Sequence, residues 1–119
     1  MDKKPVSKHQ GEAYDRLLAN HPQVERKGKT LPYTAVNGHM FTVFSNGAQL
    51  GIRLPKPERE AFIVEFNTSL LESYGAVMKE YVAVPDALLA DTDTLEPYLR
   101  ISYEYVTSLK PKPTKRPKK

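Results

Sequence analysis

Apolar and polar residues alternate most clearly between Tyr33 and Leu54, where two Asn-Gly dipeptides, Asn37-Gly38 and Asn46-Gly47, interrupt the pattern. The flanking segments are rich in β-branched and aromatic residues. Asn-Gly tolerates the positive φ angles that a two-residue type I′ turn demands. The spacing therefore predicts three strands in an antiparallel meander. With the dipeptides as loops, Val36 faces His39, Thr34 faces Phe41, Val43 faces Leu50, Phe41 faces Ile52 and His39 faces Leu54. One sheet face then holds Thr34, Val36, Phe41, Val43, Ala48, Leu50, Ile52 and Leu54. It is the expected core side, because a slip of one residue would send that set to water. The mixed face holds Tyr33, Ala35, Met40, Thr42, Phe44, Gln49, Gly51 and Arg53.

Helical periodicity brackets the meander. Ser7 and Gln10 form a capping-box pattern, so a helix starts at Lys8, with Tyr14, Leu17, Leu18 and His21 on one face. Residues 23–32 read as a loop with a short edge strand near Val24. Leu54-Pro55-Lys56-Pro57 ends the third strand and opens a second helix with Phe62, Ile63 and Phe66 inward. Leu70 to Val84 reads as a second hairpin with Tyr74-Gly75 near its tip, and Pro85 to Ala90 as about one helical turn. A last helix runs from about Thr94 to Leu109, its stripe being Leu95, Tyr98, Leu99, Ser102, Tyr103, Val106 and Leu109. Pro97 is compatible with a helix only in its first turn, which requires Thr94 as N-cap or a break at Glu96. The order α-β-β-β-α-β-β-α predicts an α+β fold, an antiparallel sheet with helices on one face.

Length and charge refine this picture. The 119 residues suffice for one domain, expected over 7–109, with a mobile start at 1–6 and a disordered basic Pro/Lys tail at 110–119. There is no cysteine, which excludes disulfides and thiol catalysis. No apolar run reaches the roughly 20 residues of a membrane span, and no apolar leader follows the N-terminus, so a cytoplasmic protein is expected. The net charge of +4 is unevenly spread. Lys110, Lys112, Lys115, Arg116, Lys118 and Lys119 give the tail +6, whereas residues 10–109 carry nine bases and thirteen acids. A polyanion such as nucleic acid would therefore be bound through the ends.

Several strings resemble a known family: Asn37-Gly38-His39-Met40-Phe41, Leu50-Gly51-Ile52-Arg53-Leu54-Pro55, Met78-Lys79-Glu80-Tyr81-Val82-Ala83-Val84-Pro85 and Leu95-x-Pro97-Tyr98-Leu99. They are similar to the TfoX N-terminal domain family over about residues 10–111, the Lys-Glu-Tyr-Val-x-Val-Pro string being the most specific. The resemblance implies a small α+β domain of bacterial type. In longer relatives that domain precedes a second one and belongs to a regulator of natural competence. Gly28-Lys29-Thr30-Leu31 stands where many relatives have Met-Phe-Gly-Gly. The resemblance carries over no catalytic residue.

Catalytic signatures are not legible. His9, His21 and His39 have no helical metal spacing, and His39 reads as a half-buried residue at a hairpin end. Asp91-Thr-Asp93-Thr reads as a helix cap. No nucleophile elbow, zinc-protease helix or phosphate loop is present. No cofactor is implied. Three readings of function remain open. One is a non-enzymatic regulatory or protein-interaction module, with Tyr33, Met40, Phe44 and Arg53 as contact face and a homodimer as one form. Another is nonspecific nucleic-acid binding by the tail bases. The third is a small-ligand binder or enzyme with a pocket near Tyr33, Arg53, Lys79 and Tyr81, set against the plain reading of Lys79–Tyr81 as a charge-protected edge strand.

Overall fold

The computed structural model describes residues 6–19, 21, 24, 26–28, 32–36 and 38–109. Residues 1–5 of the expected mobile start, 1–6, and the expected tail 110–119 lie outside the described residues, whereas Val6 packs against the core. Helix α1 (Lys8–Leu18) is followed by strands β1 (Tyr33–Val36), β2 (His39–Phe44) and β3 (Leu50–Arg53). Helix α2 (Lys56–Glu65) leads to β4 (Leu70–Ser73) and β5 (Ala76–Ala83), then α3 (Asp86–Ala90) and α4 (Thr92–Ser108). The five strands form one antiparallel sheet in the order β1-β2-β3-β5-β4, so α2 carries the chain past β5 to the far edge.

The four helices among the described residues pack on one sheet face. Their buried residues, among them Tyr14, Leu17, Phe62, Leu89, Leu95, Leu99 and Val106, share a core with Phe41, Phe44, Leu50, Ile52, Leu54, Val82 and Val84. The α1 start is the expected capping box, with both reciprocal hydrogen bonds between Ser7 and Gln10 in place. Asn67 at φ 52° terminates α2 in the left-handed conformation that asparagine tolerates. Phe62, Phe66 and Tyr98 form an aromatic cluster with centroids 4.7–5.7 Å apart, Tyr98 meeting both phenylalanines edge-to-face.

Two irregularities change the expected register. The second loop is one residue longer than a two-residue turn. Ser45 O accepts from Ala48 N and Ser45 N donates to Gln49 O, both at 2.9 Å, while Ala48 takes φ 60°. Ser45 Oγ also accepts the Gly47 and Gln49 amides at 3.2 and 3.3 Å. This is a type I turn closed by a left-handed residue, and it pairs Phe44, rather than Val43, with Leu50. In the first hairpin Val36↔His39 holds, but a bulge then pairs Thr34 with Thr42 instead of Phe41. A bulge lets two consecutive residues share a side, and Phe41 and Thr42 are both fully buried.

The expected core face is therefore corrected. Phe44 and Thr42 belong to the helix-covered core, and Val43 belongs to the opposite face beside Leu71, Tyr81 and Ala83. Phe44 cannot serve in a contact face, because it is fully buried with its ring 5.2 Å from that of Tyr14. Thr34 and Thr42 are tolerated inside because their hydroxyls bond each other at 2.5 Å and the Tyr14 hydroxyl bonds Thr42 at 2.6 Å.

Other boundaries move less. Among the described residues, the edge strand expected near Val24 is represented by one bridge, Lys27↔Tyr33. Helix α4 starts earlier than Thr94. Asp91 is its N-cap, accepting from Thr94 N at 3.4 Å and Thr94 Oγ1 at 2.7 Å. Pro97 thus lies inside the helix, beyond the first turn, with no break at Glu96. The helix tolerates it because Leu95 and Leu99 on either side are fully buried. No helix among the described residues is long and apolar enough to cross a membrane.

Candidate functional site

The β4–β5 hairpin begins as an ordinary ladder, with Leu70 opposite Val82. One step further along β4, Leu71 is opposite Met78, so Lys79, Glu80 and Tyr81 have no partner on β4. This slip turns the distal half of the hairpin onto the helix-free sheet face. A Cβ on Gly51 would lie 2.4 Å from Leu71 Cδ2, so any larger residue there would force Leu71 aside. Leu71, Tyr81 and Ala83, with Met40, Val43 and Met78 around them, form a second, smaller apolar cluster.

Polar contacts clamp the hairpin tip from the other side. Asn46, in the β2–β3 loop, donates its backbone N–H to Ser73 Oγ at 3.1 Å and accepts from Tyr74 N through Oδ1 at 2.9 Å. The turn itself is Tyr74-Gly75, with φ 53° and 79°. Both central positions of a type I′ turn need positive φ, which suits Asn or Gly and is strained for a bulky side chain. Tyr74 is nonetheless there, 51% exposed, and Val77 beside it is 50% exposed. The tip therefore presents an aromatic and an aliphatic side chain on a backbone fixed from beneath. Sequence reasoning located this turn but not its significance. The available signal was a tyrosine where the turn chemistry asks for asparagine.

The sequence-predicted site residues are only partly brought together. Arg53 and Tyr81 are cross-strand partners. Both reach the Met40 carbonyl, Tyr81 by its hydroxyl at 2.7 Å and Arg53 by Nη1 at 3.5 Å. Arg53 Nε also donates to Glu80 at 2.6 Å, and the Tyr105 hydroxyl donates to the other Glu80 oxygen at 3.2 Å. Tyr33 stands on β1, separated from Arg53 by β2, and Lys79 is exposed. Tyr81 is packed among Leu71, Ala83 and Met78 rather than aimed at solvent. Burial works against the Glu80 carboxylate, but the Arg53 hydrogen bond and charge, helped by Tyr105 and Arg59, hold it below its ordinary range. Burial pushes the Tyr81 phenol up to about 12. Neither group is poised near neutral pH, as an acid–base catalyst would be.

A shallow cleft of about 220 Å³ lies elsewhere, between α1 and α3, lined in part by His9, Glu12, Arg16 and Asp86. Gln10 Nε2 spans it, donating to Asp86 Oδ1 at 3.2 Å and to Ala48 O at 2.6 Å. Among the described residues no cluster of three or more His, Asp or Glu could hold a metal ion. The tail bases Lys110, Lys112, Lys115, Arg116, Lys118 and Lys119 lie outside the described residues. No protein-family model, curated protein or solved structure matches the chain.

Proposed function

We propose that this protein is a non-catalytic regulatory or protein-interaction module of the TfoX N-terminal type, acting in the cytoplasm, and that the β4–β5 tip is its contact surface. The observation that carries the reading is Tyr74, a large side chain kept at φ 53° and 51% exposed. Strain held at an exposed aromatic is a reason to look for function there. Tyrosine anchors on rigid supports are typical of binding hot spots. The partner is a protein, which includes a second copy of this chain.

Tyr74→Asn separates contact from folding. Asparagine relieves the turn strain, so the variant is expected to unfold at a higher temperature than the parent while losing partner capture from its own cell extract, or losing self-association in light scattering. A variant that retains every partner of the parent removes the tip from consideration. The tail supports a second reading, nonspecific nucleic-acid binding, on the strength of its +6 charge over ten residues. Deleting 110–119 is expected to abolish retention on DNA at low salt; unchanged retention overturns that reading.

A further inference from the structure

Asn46-Gly47 is a dipeptide with its own chemistry. The Gly47 backbone nitrogen can attack the Asn46 side-chain carbonyl carbon, forming a ring C–N bond. The Cγ–Nδ2 bond then breaks, and ammonia leaves with the proton that Gly47 gave up. Water opens the resulting succinimide at either carbonyl, leaving an aspartyl or an isoaspartyl residue. Glycine permits the reaction because no side chain hinders the approach of its nitrogen.

The fold restrains each stage. Asn46 Oδ1 accepts the Tyr74 amide at 2.9 Å, which fixes the side chain away from free rotation. The Asn46 amide is itself held by Ser73 Oγ at 3.1 Å, so the backbone cannot swing either. The attacking group is engaged too, because Gly47 N–H donates to Ser45 Oγ at 3.2 Å. Asn46 is only 8% exposed, which limits the access of base and water. Two of these restraints come from residues of the hairpin tip, so they vanish together when the tip lifts from the β2–β3 loop.

We propose that Asn46 is a deamidation site gated by the β4–β5 tip: closed while Tyr74 and Ser73 are docked on it, and modified only from conformations in which the tip is raised. The isoaspartyl product adds one carbon to the main chain of a turn that also contains Ala48 at φ 60°. That turn can no longer place its carbonyl under Tyr74, so modification holds the tip open. The inference rests on the proposed contact role of the tip only in its consequence for partner binding; the chemistry stands or falls separately.

The test is peptide mapping by mass spectrometry of the full chain incubated at mildly alkaline pH. Conversion at Asn46 is followed in native buffer and in urea, where the Asn37-Gly38 dipeptide reports the unrestrained rate. Conversion of Asn46 in the native protein is expected to be slower than in urea by about tenfold or more, as for a reaction that requires local opening. Ser73→Ala and Gly51→Ala, which loosen the tip, are expected to speed it several-fold in native buffer. Hydrogen exchange at the Tyr74 amide should be faster in the isoaspartyl product. Equal rates in buffer and urea overturn the proposal, as does a rate in both variants no faster than in the parent. Because none of these readouts uses a partner, a failure here is distinguishable from a failure of the contact role.

Discussion

At the scale of single residues, Phe44 and Tyr74 show how poorly hydrophobicity alone separates core from contact. Phe44 ends a strand just before a turn, and Tyr74 lies in one. Phe44 is sealed beneath Tyr14, whereas Tyr74 is carried outward on a left-handed backbone. Phe44→Ala is expected to destabilise the fold by about 3–5 kcal/mol, the range for a buried phenylalanine that leaves a cavity. Tyr74→Asn is expected to stabilise it by about 1 kcal/mol, part of the cost of holding a bulky residue at positive φ. Urea denaturation of the two variants checks both signs. Gly51→Ala belongs with Phe44, since its new methyl meets a fully buried Leu71 and forces it aside. A loss of about 1–3 kcal/mol is expected, as for other over-packed sites.

At the scale of the element, α4 contains the clearest conflict between local preference and tertiary packing. Pro97 lacks the N–H that would bond the Asp93 carbonyl, and its ring crowds that carbonyl. The helix continues through it because Leu95, Leu99, Ser102 and Val106 present one continuous buried face. Pro97→Ala is expected to raise stability by about 1–3 kcal/mol, approaching the full helix-interior penalty if Pro97 has no other role. Asp91→Ala is expected to lower it by about 1 kcal/mol through loss of the cap. Thermal unfolding followed by circular dichroism reads both. The β4–β5 hairpin shows the opposite balance. Its local turn is strained, and packing of Leu71 and Met78 on the helix-free face compensates.

For the whole molecule, titration reports how the layers are joined. Burial pushes Tyr14 and Tyr81, one under each sheet face, up to about 12 from an ordinary 10.0. A raised folded-state value gives stability that is intact below pH 10 and is lost as pH rises through about 12. Ultraviolet titration should show these two phenols ionising last, together with unfolding, and Tyr14→Phe should flatten the alkaline loss. Glu80 acts at the other end of the scale. Its lowered value gives stability that is present above its ordinary 4.5 and is lost as pH falls through the depressed folded-state value. Arg53→Met is expected to remove that acid-side component, measured as a smaller drop in unfolding temperature between neutral and acid pH.

Much of the architecture was legible from residue order. The Ser7–Gln10 cap, the Tyr74-Gly75 turn, the Pro55-Lys56-Pro57 helix start, the apolar stripes of α1 and α4 and the α+β class all follow from interactions within a few residues of one another. Such interactions depend on backbone preferences that a short segment carries with it. What only the tertiary structure decided was which side of the sheet each strand residue occupies, and where the exposed site lies. A serine hydroxyl that lengthens one turn by a residue and a bulge that admits Phe41 and Thr42 together reverse the side of Val43 and Phe44. A strand has a side-chain period of two, so a single added residue is enough to exchange its faces, and only the packing of distant helices selects between the outcomes.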